Sequence, residues 1–199
     1  MKVNIKKEGK TKNYKLISKW EEVTMDKWLK LIELETGSKT KEAEETIVTL
    51  SNIPRQLVKE LSVKDVAMIM EKLAEVQKEA SSSLKKIVEV EGQEYGFIPD
   101  LNEITLGEYA DIETFIKNGL EKHLPEIMAV LFRPILEKED AVYSIKAYDG
   151  NIRIRAERFK KMSAEQVQSA LVFFWTFGKE LPKILPLYLM QSLKGMTKQ

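Results

Sequence analysis

Lys86-Ile87-Val88-Glu89-Val90-Glu91-Gly92-Gln93-Glu94-Tyr95-Gly96-Phe97 sets two runs rich in β-branched and aromatic residues on either side of Glu91-Gly92. A two-residue hairpin turn needs left-handed backbone, which glycine adopts without steric cost, so the stretch predicts a β-hairpin. Pro99-Asp100 ends it. Next comes Thr105-Leu106-Gly107-Glu108, a capping box that opens a helix through Tyr109, Ile112, Phe115 and Ile116 and is closed by Asn118-Gly119. Pro125 suits another helix start. Ile127, Met128, Val130, Leu131 and Phe132 make that helix apolar nearly all round until Arg133-Pro134 stops it, a pattern that predicts deep burial.

Farther along, Tyr143 to Ile154 allows two readings. Asp149-Gly150 turns a short hairpin there, or the segment is an irregular loop. Ser163-Ala164-Glu165-Gln166 is a second capping box, heading an apolar helix from Val167 to about Lys179. Gly178, Pro182 and Pro186 break the tail into one or two short helical pieces.

Toward the N-terminus, Ser81-Ser82-Ser83 is the clearest break in the chain. Before it, Ser62-Val63-Lys64-Asp65 opens a helix striped by Val66, Ile69, Met70, Leu73 and Val76. Pro54 starts a short helix ending near Leu61, Lys39 to Leu50 forms a charged one, and Thr24 caps a helix that ends near Gly37. Val3 and Ile5, the turn Glu8-Gly9-Lys10, then Tyr14, Leu16 and Ile17 read as a first hairpin. The expected fold is therefore α+β and mostly helical, a helical core with two or three small β-hairpins. The break divides it into 1–82 and 83–199, or leaves one continuous domain.

A chain of 199 residues buries roughly 70% of its unfolded surface, enough to fold without staples. With no cysteine there are no disulfides, thiolate nucleophiles or cysteine zinc sites, and a reducing cytoplasm is the natural setting. Lys+Arg of 32 against Asp+Glu of 31 leaves no global field for a polyanion, so nucleic acid is not the expected partner and local patches need their own argument. The longest apolar tract, Leu171 to Phe177, is about a third of the roughly 20 residues that span a bilayer, so no membrane is expected.

Catalytic constellations are hard to assemble. His123 is the only histidine, which removes histidine metal triads. Asp100, Glu103, Glu108, Asp111 and Glu113 gather carboxylates around one helix start, where the helix dipole favours negative charge. Gly37-Ser38-Lys39-Thr40 lacks the earlier glycine of a phosphate loop; Glu33 stands in its place. No cofactor, metal or catalytic residue is expected, and the chain reads as a binding or assembly protein rather than an enzyme.

Two features point to a partner surface. Arg153, Arg155 and Arg158, three of five arginines, lie within six residues and are followed by Lys160 and Lys161. If 151–155 is extended, Arg153 and Arg155 share a face and Ile152 and Ile154 turn inward. That strip serves as a solvated edge, a protein contact or, alternatively, a nucleic-acid or regulatory contact. The second feature is the apolar tail, with Phe173, Phe174, Trp175 and Phe177 and then Leu187 and Tyr188. Aromatic enrichment suits either an interior or an interface core.

Tyr95-Gly96-Phe97-Ile98-Pro99-Asp100-Leu101, Thr105 to Glu113 and Leu124-Pro125-Glu126-Ile127-Met128-Ala129-Val130-Leu131-Phe132-Arg133-Pro134-Ile135 resemble small structural or tail-assembly-chaperone-like proteins of tailed bacteriophages. The resemblance covers about 40 residues, with a weaker echo over Trp20 to Trp28. It implies a non-enzymatic protein made in the bacterial host cytoplasm. Such a protein binds tail or other virion proteins, or a second copy of itself, and either leaves the particle or stays in it.

Overall fold

The computed structural model describes residues 1–7, 10–34, 37–78 and 83–178. The hairpin of 86–97 forms as expected, β3 (Ile87–Val90) pairing antiparallel with β4 (Gln93–Phe97). Glu91 and Gly92 both take positive φ, 53° and 77°, the geometry that a right-twisted two-residue turn requires. Val88, Val90, Tyr95 and Phe97 face the core while Glu89 and Glu94 face water.

The helix from Pro125 does not run to Arg133-Pro134. α6 (Leu124–Leu131) ends one residue before Phe132, which begins a strand, β5 (Phe132–Glu139), laid on the free edge of β4. The register is Tyr95↔Pro134, Gly96↔Arg133 and Phe97↔Phe132. Proline has no N–H to give a ladder, but its carbonyl can accept, and Pro134 O takes the N–H of Lys146 at 2.9 Å.

β5 turns through Asp140 into β6 (Val142–Ile145), completing a four-stranded sheet of order β3-β4-β5-β6. The third hairpin thus turns at Asp140, not at Asp149-Gly150. Gly96 makes room for it: a Cβ there would lie 2.8 Å from Ile145 Cγ2 and closer still to the Tyr143 ring. Tyr143 crosses that glycine and donates its hydroxyl to Phe97 O at 2.8 Å.

Asp149-Gly150 does form a turn, with Gly150 at φ 67°, but it leads into a helix, α7 (Ile152–Phe159). α7 packs along α6, whose Ile127, Met128, Ala129, Val130 and Leu131 are fully buried, as the apolar pattern predicts. α5 (Leu106–Lys117) carries the complete Thr105/Glu108 capping box. Together with Phe97, Phe132 and Phe159 these elements build one core.

A second core lies in the N-terminal half. β1 (Lys2–Lys7) and β2 (Lys10–Lys15) form the first hairpin, followed by α1 (Met25–Ile32), α2 (Lys39–Leu50), α3 (Arg55–Lys59) and α4 (Val63–Lys78). α1 stops at Ile32, short of Gly37: Glu33 N–H still reaches Leu29 O at 3.0 Å, but the next N–H, of Leu34, tightens to Leu31 O at 3.4 Å. Leu16, Val23, Ile47, Val58, Ile69 and Leu73 fill the space between these elements.

The two cores are stitched at one seam by α8 (Ala164–Gly178) and the turn before it. Met25 N–H donates to Met162 O at 2.7 Å, and Ala164 N–H to Val23 O at 2.7 Å. Met25 belongs to the C-terminal core and Ala164 to the N-terminal one, so each half lends the other a fully buried residue. Trp20 Nε1 adds a hydrogen bond to Gln168 Oε1 at 2.9 Å. The architecture is α+β and mostly helical, with eight α-helices and sheets of two and four strands among the described residues.

Candidate functional site

α7 rearranges the arginine-rich segment. On a helix, positions 153 and 155 stand about 200° apart rather than on one face. Ile152 is buried, but Ile154 is 61% exposed, so only one of the two isoleucines turns inward. Arg153 remains exposed. Arg155 points into the protein, 8% exposed, donating Nε to Ala129 O at 3.1 Å and Nη1 to Asp149 Oδ1 at 3.4 Å. Arg158 donates to the Tyr95 hydroxyl at 3.3 Å, Lys160 pairs with Glu157 at 2.7 Å, and Lys161 pairs with Glu91. The five cations therefore stand in five different environments, and four of them are engaged within the chain.

Around Arg155 lies a charge cluster that local sequence did not announce. Glu108 is 1% exposed; its Oε2 accepts from Thr105 N at 2.7 Å and from Thr105 Oγ1 at 2.6 Å, and its Oε1 stands 3.0 Å from Arg133 Nη2. Arg133 is held below its ordinary pKa by burial, a push that the neighbouring Glu108 charge opposes. Tyr148 donates its hydroxyl to Asp111, and burial first, then Asp111, raises the phenol's pKa. α5, β5, α7 and the 146–151 turn are thereby tied through ionic and polar side chains.

Two donors in the cluster, Arg133 Nε and Arg155 Nη2, are buried with no hydrogen-bond partner among the described residues. The carboxylates meanwhile are spent on the cap, on Arg133 and on Tyr148. Arg133 carried a sequence signal, a lone cation beside a wholly apolar run; Tyr148 carried none.

Asp149 gives the cluster a pH signature. Its carboxyl is pulled from 3.8 down to about 2, chiefly by the backbone N–H of Asn151 and then by Lys146 and Arg155. A carboxyl depressed in the folded state stabilises fully above the unfolded value, and that contribution disappears as pH falls through the folded one. Thermal melts should therefore show a fall in stability between about pH 4 and 2. Asp149→Asn should make that limb shallower; an unchanged limb would mean that Asp149 is not held in this way.

The other expected residues are scattered. Glu113 pairs with Lys117 at 3.0 Å, one turn on. His123 stacks on Phe115 at 5.4 Å, with Nδ1 3.9 Å from Glu126 Oε2. Among the described residues no group of three or more His, Asp or Glu is placed to hold a metal ion, and no helix is long and apolar enough to cross a membrane. In α8, Val167 and Ala170 are fully buried and Leu171 is half-buried. Phe173, Phe174, Trp175 and Phe177 fall on the last turns of α8, where only the backbone is described; Leu187 and Tyr188 lie outside the described residues.

A groove of mixed character, about 470 Å³, opens between β1 and α3–α4, lined by Val3, Ile5, Leu57 and Met68 together with Glu60, Asp65 and Lys72. Another of about 300 Å³ lies among α1, α2 and α4, beside Trp20 and Trp28. Fold and site together define an α+β, mostly helical chain with two cores, a buried charge cluster and two open grooves. No family model, curated protein or solved structure matches it.

Proposed function

We propose that this chain is a non-enzymatic phage assembly or virion structural protein that binds other tail proteins, acting as a tail assembly chaperone or as a component of the particle. The observation that carries this reading is the make-up of α8. Its first turns meet the cores through Ala164, Val167 and Ala170, and directly afterwards Leu171 to Phe177 places four aromatics in seven residues. Aromatic side chains are what protein interfaces concentrate at their centres. The resemblance over 95–135 supplies the kind of partner, and the exposed Arg153 supplies a cation beside the buried part of the 153–161 segment.

The test is co-purification. Tagged protein expressed in phage-infected cells should retain a tail or other virion protein identified by mass spectrometry, or associate with itself. Phe173→Ser with Trp175→Ser should abolish that retention while far-UV circular dichroism stays unchanged. A strictly monomeric protein that retains no virion component would end this reading.

A further inference from the structure

The balanced charge of the whole chain hides a local excess. Residues 2–15 contain six lysines, Lys2, Lys6, Lys7, Lys10, Lys12 and Lys15, against one acid, Glu8. The register of the hairpin sorts them into rows: Lys2↔Lys15 and Asn4↔Asn13 alternate with Val3↔Tyr14 and Ile5↔Lys12. Cross-strand partners share a face, and successive residues change face. Val3, Ile5 and Tyr14 accordingly pack against the N-terminal core, while Lys2, Asn4, Thr11, Asn13 and Lys15 are all exposed on the other side.

Lysines placed directly opposite one another weaken a ribbon unless an anion lies between them. Glu22 stands beside Lys15 at 3.8 Å, the outer limit of an ion pair, and the Lys15 side chain stays 71% exposed. The face holds no apolar, aromatic or arginine side chain among those described. A protein partner would find no anchor there, since interface centres are built on such residues and lysine is depleted from them.

Phosphates need only what this face offers, which is lysine charge with asparagine and threonine donors. Single strands are held by stacking on aromatics, and Tyr14 is on the opposite side. The major groove of B-DNA is wide enough for a two-stranded ribbon to lie along it with its lysines reaching the flanking phosphates, whereas the deep, narrow major groove of A-form RNA is closed to side chains. We propose that the exposed face of the β1–β2 hairpin docks on the phosphate backbone of duplex DNA. This surface is distinct from the 153–161 segment and independent of the tail-protein reading.

The experiment is fluorescence polarisation of a labelled mixed-sequence duplex of about 20 base pairs with the full chain, starting near 20 mM salt, where phosphate contacts are strongest. Affinity should fall with salt at a log–log slope of about −2 to −3, roughly 0.9 for each neutralised phosphate. Lys2→Ala with Lys15→Ala should flatten that slope by about 2 and weaken binding by about tenfold or more at low salt. Lys2→Arg with Lys15→Arg should retain binding, and Arg153→Ala should leave it unchanged. No binding at low salt overturns the proposal, because the lysines then serve only to guard the strand edges. Binding indifferent to Lys2 and Lys15 overturns it equally, as does polyglutamate binding as tightly as the duplex, which would mark an acidic protein as the partner.

Discussion

Glu108→Ala should cost about 3–5 kcal/mol of unfolding free energy, the range for stripping one member from a buried ion pair. The loss has two parts. Glu108 caps α5 through the Thr105 N–H, and it is the carboxylate set against Arg133, whose side chain is only 10% exposed. Without it the guanidinium is buried beside Arg155, with only the weaker influence of Tyr148 and Asp149 to offset its charge. Urea denaturation at neutral pH gives the number. The double variant Glu108→Leu with Arg133→Leu should recover the ion-pair part of the loss but not the cap, because an apolar pair of similar volume removes the desolvation cost along with the attraction. If the double variant is no more stable than Glu108→Ala, the ion pair is not the cause.

Phe159→Ala is expected to be comparably severe, about 3–5 kcal/mol, through lost transfer energy and a cavity that its neighbours only partly close. Phe159 is fully buried at the end of α7, edge-on to Tyr95 at 4.8 Å and to Phe132 at 6.3 Å. Tyr95 belongs to β4 and Phe132 begins β5, so one ring joins the helix to two strands. Ile154→Ala, on the same helix but 61% exposed, should change stability by no more than about 0.5 kcal/mol. A shift of the urea midpoint with constant m-value would tie the Phe159 effect to the native core. Equal effects at the two positions would contradict the assigned face of α7.

How much of this was legible beforehand depends on range. Thr24, Ser62, Thr105 and Ser163 all begin helices where the sequence places them, because a cap is made between residues three apart. β5 was not legible: Phe132 continues an apolar helical pattern, and Arg133-Pro134 reads as a stop. What converts that stop into a strand is the open edge of β4, nearly 40 residues earlier, where Gly96 leaves space for Tyr143 to cross. The candidate site was partly legible in the same sense. The clustering of Arg153, Arg155 and Arg158 is plain in the chain, yet the inward turn of Arg155 depends on Ala129 and Asp149.

By itself the sequence determined the two glycine- and charge-marked hairpins, the capped helices, the apolar α6 and the absence of any thiol, since each rests on neighbours within a few positions or on composition. Tertiary structure alone decided that Phe132–Glu139 is a strand, that 152–159 is a helix, and that Glu108, Arg133, Tyr148 and Arg155 meet in one buried cluster. The reason is physical: once α6 fills the core, an edge strand and two guanidinium groups are left needing hydrogen-bond partners that only distant segments can bring.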